Sequence, residues 1–217
     1  MRTAENFATS YHGLIRKDIF PLFKGTARRL LDLGGGIGAT SAALKEAGLV
    51  GRVTVVDLVA GNALPNIDAS YAGSLEDMSF LTQVIEEEGP FDAILCLDLL
   101  EHLREPWEII TVLREALQPN GMIIASIPNV RHLRVVWPLV VNGSFQLADK
   151  GLLDRTHLRW FTRSGAVSLM TPPGLELEEI RGKLPQKRIY RIANFLSFGS
   201  IRGFLDIQYL IRVRRVK

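Results

Sequence analysis

The stretch that decides the fold is Arg28-Arg29-Leu30-Leu31-Asp32-Leu33-Gly34-Gly35-Gly36-Ile37-Gly38. A short apolar run ends in glycines, which predicts a strand followed by a tight turn. Residues 37–47 then show a helical pattern, with Gly48 as its C-terminal stop. Strand, glycine turn and helix in this order are typical of the first unit of an α/β sheet.

The same alternation of strands and helices continues along the chain. Residues 91–97 are almost continuously apolar, as in a strand that is buried on both faces. The alternation predicts an α/β fold with a mostly parallel, doubly wound sheet. The other predicted strands are 52–57, 70–73, 122–127, 175–180 and 204–213, and the other predicted helices are 76–88 and 107–117.

Two segments, about 131–165 and about 184–203, do not fit simple crossover connections. We expect them to be insertions in a single domain that spans residues 1–217. Ligands bind beyond the carboxyl ends of the strands in open parallel sheets, so insertions that leave those ends are placed to form a lid on the substrate side.

The composition excludes several classes of protein. The 217 residues are 47% hydrophobic and 23% charged, which fits a globular domain with a sizeable core. No uncharged run reaches the roughly 20 residues of a membrane-spanning helix. Arg2, Glu5 and His12 precede any apolar stretch, so we expect no secretory signal and a cytoplasmic protein. Cys96 is the single cysteine and is expected to be a small buried hydrophobe.

The positive charge is concentrated in the C-terminal segment. Residues 181–217 hold ten lysines and arginines and one acid, Asp206, whereas the residues before them carry a net negative charge. This segment could face an anionic substrate, a phospholipid surface or nucleic acid, or it could be a solvated basic face. Its apolar residues are expected in the core, with a shallow interfacial surface as the alternative: Phe195, Leu196, Phe198 and Phe204.

The glycine turn predicts a nucleotide site. Gly34, Gly36 and Gly38 leave the turn without Cβ atoms where a ligand must approach the backbone. Asp57 ends the second predicted strand, where its carboxylate can accept hydrogen bonds from both ribose hydroxyls.

The identity of the nucleotide depends on Asp32. Gly34, Gly36 and Ala39 also fit the dinucleotide pattern G-x-G-x-x-G/A, so a nicotinamide-dependent oxidoreductase is one alternative. A carboxylate beside the turn repels a pyrophosphate and attracts the ammonium and sulfonium groups of S-adenosylmethionine. We therefore predict S-adenosylmethionine as the cofactor. A non-catalytic module that only binds it is the second alternative.

A second group of polar residues follows the strand at 91–97. Asp98, Glu101 and His102 are spaced i, i+3 and i+4, so they converge if they form a first helical turn. His157, in the first insertion, is a candidate fourth member. Two carboxylates and two imidazoles form a plausible octahedral site for a divalent ion. Alternatively His102 acts as general base or positions the nucleophile, with Glu101 and His157 beside it. A third possibility is that these residues are structural, with His157 fixing its loop by a contact with Asp154. His132 is expected to be a solvated loop histidine.

The sequence resembles class I S-adenosylmethionine-dependent methyltransferases, whose first motif is acid-x-Gly-x-Gly-x-Gly. The resemblance is closest to bacterial members that combine the motifs LEH, SIPNVRH and LLDRTHLRWFT, here residues 100–102, 126–132 and 152–162. It implies a Rossmann-like, seven-stranded methyltransferase fold with an antiparallel last strand.

The resemblance also implies a set of cofactor contacts. The glycine turn would contact the methionine moiety, Asp57 the ribose, and Ser74 and Leu75 the adenine; many family members have Asp in place of Ser74. Tyr11 lies in a region that closes over the methionine carboxylate in relatives. The full set of implied contacts is Asp32, Gly34, Gly35, Gly36, Gly38, Asp57, Leu58, Ser74, Leu75, Leu97 and Tyr11.

The acid-x-x-Glu-His motif is similar to that of metal-dependent small-RNA 2′-O-methyltransferases and ubiquinone-pathway catechol O-methyltransferases. Carried over, the metal ligands would be Asp98, Glu101, His102 and His157, although Asp98 replaces the usual, longer Glu. We expect methyl transfer to a hydroxyl of a small-molecule or glycan-linked acceptor, because a hydroxyl needs a base or a metal more than an amine does. A quinone-type phenol and RNA are the alternative acceptors.

Overall fold

The computed structural model describes residues 13–60 and 63–216, and within these residues seven strands form one sheet. The order across the sheet is β3-β2-β1-β4-β5-β7-β6, and β7 runs antiparallel to both of its neighbours while the other pairs are parallel. This confirms the predicted α/β class and the antiparallel last strand. The strands are β1 (Ala27–Leu33), β2 (Val50–Asp57), β3 (Ala69–Ala72), β4 (Phe91–Leu97), β5 (Leu117–Pro128), β6 (Leu175–Lys183) and β7 (Gln208–Arg215).

Helices cover both faces of this sheet. Among the residues that the structure describes, short 3-10 helices cover Lys17–Leu22 and Leu100–His102. The α-helices are α1 (Ala39–Glu46), α2 (Met78–Glu88), α3 (Pro106–Ala116), α4 (Leu133–Asn142), α5 (Arg163–Met170), α6 (Arg188–Leu196) and α7 (Arg202–Leu205). None of the helices in the described part of the chain is long and apolar enough to cross a membrane.

The central strands are buried on both faces, because successive side chains of a strand point to opposite sides. Leu31 and Ile94 belong to one apolar layer, and Leu30 and Leu95 belong to the other. Cys96 is fully buried in the first layer, as predicted. This two-sided burial explains why β1 and β4 read as nearly continuous apolar runs.

The strand order reverses between β1 and β4. β1 pairs with β2 on one side and with β4 on the other, so Leu33 lies between Val56 and Cys96 at the carboxyl ends. Such a switch point opens a crevice between the two connections that leave the sheet, and ligands of doubly wound folds bind there.

The last strand begins later than predicted. Residues 204–213 were expected as strand, but β7 starts at Gln208 and the preceding residues form α7. The Asn129 side-chain amide donates to the carbonyls of Gly203 (3.0 Å) and Asp206 (2.7 Å), and the Arg131 guanidinium lies 4.1 Å from the centre of the Phe204 ring. These contacts hold the segment against the end of β5 instead of in the sheet.

Two long segments leave the sheet at one place. The first segment, residues 129–162, begins after Pro128, which pairs with Gln208 of β7. The segment returns to its starting point at Phe161, which forms a bridge with Asn129. Residues 184–207 leave after Lys183, which also pairs with Gln208. Both segments therefore start at the same edge of the sheet, after the two strands that flank β7.

Candidate active site

A cavity of about 800 Å³ lies at the carboxyl ends of β1, β2 and β4, at the reversal of strand order. Gly38 does not line it, and Tyr11 lies outside the described residues. The predicted cofactor contacts that do line it are Asp32, Gly34, Gly35, Gly36, Asp57, Leu58, Ser74, Leu75 and Leu97.

The turn after β1 needs its glycines. A Cβ on Gly35 would lie 2.5 Å from Oδ2 of Asp32, and a Cβ on Gly38 would lie 2.7 Å from Cδ1 of Ile67. Gly38 also has φ +81°, a backbone conformation that residues with a side chain rarely adopt, and it is the N-cap residue of α1. The bare turn therefore packs directly over the Asp32 carboxyl group and exposes backbone to the cavity.

Asp32 is buried at the base of this turn. The Ser41 hydroxyl donates a hydrogen bond to its carboxylate. Burial, aided by the negative charge of Asp57, raises the pKa of Asp32 to about 7 despite the Ser41 hydrogen bond. The sequence predicts a charged carboxylate at this position. In the structure it is poised to lose its proton near neutral pH, and a cation in the cavity favours that loss.

Asp57 at the end of β2 fixes the glycine turn from the other side. One carboxylate oxygen accepts from the Gly36 amide at 2.9 Å, and the other accepts from the Val59 amide at 3.0 Å. Each oxygen retains a lone pair, so the group has capacity for a ligand hydroxyl as well.

The loop after β3 forms the far end of the cavity. Ser74 is exposed there, and its hydroxyl accepts from the Glu76 amide at 3.2 Å. Glu76 also lines the cavity, and its carboxylate accepts from the Arg104 amide at 2.8 Å. Sequence reasoning missed Glu76, because its position beside the cavity depends on how the loop folds.

Asp98 follows β4 with φ +52°, which turns the chain sharply. Its carboxylate accepts hydrogen bonds from the Arg16 guanidinium, the Gln208 amide and, at 2.8 Å, the Ser126 hydroxyl. Arg16 and Gln208 line the cavity but were not predicted as site residues. The residues following β4 form a 3-10 turn, and the structure does not bring Asp98 together with the other predicted metal ligands.

Glu101, His102 and His157 do come together. One potential ligand atom from each lies within 4.8 Å of those of the other two. The chain brings the first insertion to the turn after β4 because the Glu101 carbonyl accepts from the Leu158 amide at 2.8 Å and the Arg159 amide at 3.0 Å. His102 is on the wall of the cavity, so this cluster adjoins the cofactor space.

Two buried atoms of the cluster have no hydrogen-bond partner among the described residues: Oε2 of Glu101 and Nδ1 of His157. Glu101 is only 1% exposed, and burial together with the charge of Asp98 raises its pKa well above the ordinary value. Burial and the neighbouring His102 lower the pKa of His157. In contrast, Nδ1 of His102 lies 3.1 Å from the Thr156 hydroxyl.

His132 is not the solvated histidine that was expected. It is fully buried, and its Nδ1 accepts from the Arg134 amide at 3.1 Å, which caps α4. Burial lowers its pKa. The ring lies 5.7 Å from that of Tyr190 in α6, so this histidine joins the two segments that leave the sheet.

A bare glycine turn over an acid, and a second acid that ends β2 beside the reversal of strand order, are the features expected of a class I methyltransferase. Comparison with known families agrees with this geometry. Residues 7–180 match the model of the methyltransferase domain family, and the chain belongs to this family. It is a methyltransferase that depends on S-adenosylmethionine.

Individual relatives give the same result. Ubiquinone biosynthesis O-methyltransferases of Cupriavidus pinatubonensis and Pseudomonas aeruginosa are 25% identical over 197 residues, which cover 87% of this chain and 74% and 78% of theirs. The N-methyltransferase NodS of Bradyrhizobium japonicum, solved with S-adenosyl-L-homocysteine, aligns with a TM-score of 0.59 at 16% identity over 100% of this chain and 90% of NodS. A methyltransferase of Archaeoglobus fulgidus aligns at 0.61 and 17%, covering 96% and 94%.

Proposed function

We propose that this enzyme transfers the methyl group of S-adenosylmethionine to a hydroxyl oxygen of a small-molecule acceptor. The observation that carries the proposal is the cluster of Glu101, His102 and His157 beside the cofactor cavity. A hydroxyl is a weak nucleophile until it loses its proton, so it benefits from a base or a Lewis acid at this place. The names of the O-methyltransferase relatives support the same reaction.

The residues on the cavity walls support one orientation of the cofactor. We assign the methionine moiety to the glycine turn over Asp32, the ribose to Asp57, and the adenine to the loop of Ser74 and Leu75, with Leu58 and Leu97 as apolar walls. The reactive sulfonium then faces the end of β4, where His102 lines the cavity. Methyl transfer is an in-line displacement, so the protein mainly aligns the acceptor oxygen and accepts its proton. We assign the role of proton acceptor to His102.

The cluster also fits a divalent metal ion. One carboxylate and two imidazoles are a common donor set, and two of its buried atoms, on Glu101 and His157, lack partners within the described residues. Glu101, His102 and His157 would hold such an ion, which would lower the pKa of the acceptor hydroxyl. Asp98 is less suited as a ligand, because Arg16, Ser126 and Gln208 already bind its carboxylate.

The acceptor end of the cavity favours a phenol-type compound over a glycan. Leu99 and Leu103 lie beside His102 on the cavity wall, and apolar side chains pack against an aromatic ring better than against a sugar. A glycan-linked hydroxyl remains the second candidate, since Lys183 and Gln208 supply polar groups at the rim. We propose a cytoplasmic location for the reaction.

The test is methyl transfer from labelled S-adenosylmethionine to matched panels of catechols, sugar hydroxyls and RNA. We expect transfer to a catechol oxygen, loss of at least a hundredfold in His102→Ala, and inhibition by a chelator if the metal contributes. Transfer to an amine alone, or full activity in His102→Ala, would contradict the proposal. Calorimetry with NAD serves as the control for the dinucleotide alternative, and binding of NAD without S-adenosylmethionine would support an oxidoreductase.

A further inference from the structure

Helix α6 exposes an apolar stripe instead of burying one. Ile189, Ile192, Phe195 and Leu196 recur at helical spacing on one side and are all exposed, and no described residue of the helix is buried. Phe195 is 78% exposed. An amphipathic helix normally turns such a stripe to the core, so an exposed one indicates a surface that meets another apolar phase.

The turn after α6 continues this stripe. Phe198 is 97% exposed and has φ +50°, a backbone conformation that is uncommon for a bulky residue. The sequence pattern predicts Phe195, Leu196 and Phe198 in the core. The structure contradicts that expectation, because the segment lies outside the two buried layers and points these side chains into solvent.

Helix α4 behaves in the same way. Leu133, Trp137, Val140 and Val141 share one side of the helix and are exposed, Trp137 by 63% and Val140 by 76%. Among the described residues of this helix only Val135 is buried. Two neighbouring segments of the protein therefore each present an apolar face.

The two helices belong to one region of the surface. His132, at the N-cap of α4, packs against Tyr190 of α6, and Arg131 stacks on Phe204 after α6. We call this region the α4–α6 surface, and define it by the exposed apolar residues Leu133, Trp137, Val140, Val141, Ile189, Ile192, Phe195, Leu196 and Phe198.

The charged side chains of the two helices and their adjoining loops are all cationic, and one of them, Arg202, pairs with Asp206 just beyond the second segment. Residues 129–148 and 184–205 contain no Asp or Glu, although residues 1–180 together are net negative. Arg188 and Arg191 are exposed, and with Ile192 and Phe195 they line a groove of about 670 Å³. Basic and apolar groups thus meet in one groove. The cationic residues in the two segments are Arg131, Arg134, Lys187, Arg188, Arg191 and Arg202.

This combination fits the interface of an anionic phospholipid bilayer. Apolar side chains enter the acyl boundary while lysines and arginines pair with the phosphates around them. A second copy of the chain fits less well, because a symmetric pairing would oppose the same cations without any acid. RNA would meet the arginines but would leave the aliphatic stripes in water.

The surface is also connected to the active site. The segment carrying α6 leaves the sheet at Lys183 and returns at Gln208, and both residues line the cofactor cavity. The segment carrying α4 contributes Thr156 to the same cavity. Both segments that carry the α4–α6 surface therefore also reach the cavity.

We propose that the α4–α6 surface docks the enzyme on an anionic phospholipid membrane, from which the acceptor enters the cavity. The docking stands on the surface alone, whereas the delivery of a membrane-embedded hydroxyl acceptor rests on the proposed function. The acceptor is then an amphiphile with its hydroxyl at the headgroup level and its apolar part in the bilayer.

Vesicle flotation tests the docking with two probes: vesicles of phosphatidylcholine alone, and vesicles in which about a third of the lipid is phosphatidylglycerol. We expect the full chain to float with the anionic vesicles at least tenfold better than with the neutral ones, and to dissociate as salt screens the phosphates. Equal binding to both vesicles, or binding to neither, would overturn the proposal.

Variants locate the surface. Phe195→Ser with Phe198→Ser, and Arg188→Gln with Arg191→Gln, are each expected to weaken binding to anionic vesicles roughly tenfold or more. The matched charge control is Lys24→Gln with Arg28→Gln, at the amino ends of the strands, which is expected to bind as the unmodified protein does. Equal binding by all three variants would place the contact elsewhere and contradict the proposal. Thermal unfolding and cofactor titration confirm that each variant is folded.

Two further readouts separate the alternatives. Analytical sedimentation without lipid detects dimerisation of the protein, and a gel-shift assay with RNA detects RNA binding. Membrane docking would be overturned if the unmodified protein dimerises or binds RNA but does not bind vesicles, and the Phe195→Ser, Phe198→Ser variant loses that dimerisation or RNA binding. Vesicle binding needs no turnover, so vesicle binding without O-methylation would reject only the proposed function, and O-methylation without vesicle binding would reject only the docking.

Discussion

The rings of His102 and His157 meet edge to face with their centres 4.8 Å apart. One histidine follows β4 and the other lies in the segment between β5 and α5, so the pairing depends on the return of that segment to the sheet. The amides that bind the Glu101 carbonyl maintain this return. A site assembled from two distant segments can be tested by perturbing each of them separately.

The metal hypothesis predicts which carboxylate contributes to the binding of a divalent ion. Glu101→Gln and His157→Ala are expected to lower the affinity for a divalent ion at least tenfold, since each removes one of three donors. Asp98→Asn is the matched control, because Asp98 lies outside the cluster. The affinity of this variant for the divalent ion is expected to stay within about twofold of that of the unmodified protein. Calorimetric titration of the metal into the purified protein measures both. A greater loss in Asp98→Asn than in Glu101→Gln would support the four-ligand set predicted from the sequence instead.

The pKa of Asp32 predicts how cofactor binding depends on pH. The carboxyl group holds its proton up to about pH 7 in the free protein, whereas a cationic ligand favours the ionised form. Binding therefore releases a proton, and the affinity for S-adenosylmethionine is expected to rise as the pH increases toward 7, by at most about tenfold per unit, and to level off above it. Calorimetry at pH 6 and 8, in buffers of different ionisation enthalpy, measures both the affinity and the proton release.

Two comparisons isolate Asp32 as the source of that dependence. Asp32→Asn cannot ionise and is expected to bind weakly with little change between pH 6 and 8. S-adenosylhomocysteine lacks the sulfonium charge, so its pH dependence in the unmodified protein is expected to be smaller. An unchanged pH profile in Asp32→Asn would assign the proton to another group.

The glycine turn predicts a contrast between two alanine substitutions. Gly38→Ala is expected to destabilise the protein by about 1–3 kcal/mol, because the new Cβ meets Ile67 and the residue has positive φ. Gly165→Ala is the control. Its Cβ would have no neighbour closer than 3.6 Å, and Ala favours helix α5 by up to about 1 kcal/mol. Denaturant unfolding measures both free energies, and equal values would show that the turn tolerates a side chain.

The ribose assignment predicts that Asp57→Ala lowers the affinity for the cofactor by about 1–3 kcal/mol, the cost of losing a charged hydrogen bond. The substitution also frees the amides of Gly36 and Val59, so part of the loss comes from the turn. S-adenosylmethionine and S-adenosylhomocysteine share the ribose and are expected to lose affinity equally. A loss confined to one of them would assign Asp57 to the methionine end.

The cofactor half of the site could be predicted from the sequence because its signals are local. Asp32, the glycines and Asp57 lie at ends of strands whose apolar runs are visible in the sequence, and parallel pairing brings these ends together. The acceptor half depends on distant contacts. Arg16 and Gln208 reach Asp98 from opposite ends of the chain, and the burial of His132 depends on the position of Tyr190. Periodicity contains no information on such pairs.

The sequence pattern also could not predict that the apolar faces of α4 and α6 are exposed. An apolar stripe at helical spacing predicts burial, as it does for α2 and α3, and the pattern is the same when the helix lies outside the core. The late start of β7 has a similar cause, since Asn129 holds residues 203–206 by bonds that leave no local signal.

Lys183 and Gln208 are partners in the sheet, so the segment between them begins and ends at adjacent points. Its exchange for a segment of different length would leave the strand register and the glycine turn untouched. The surface contacts of α6 and the affinity for the methyl donor are therefore expected to be separable in this scaffold, and a chimera joined at these two residues would take the first from one parent and the second from the other.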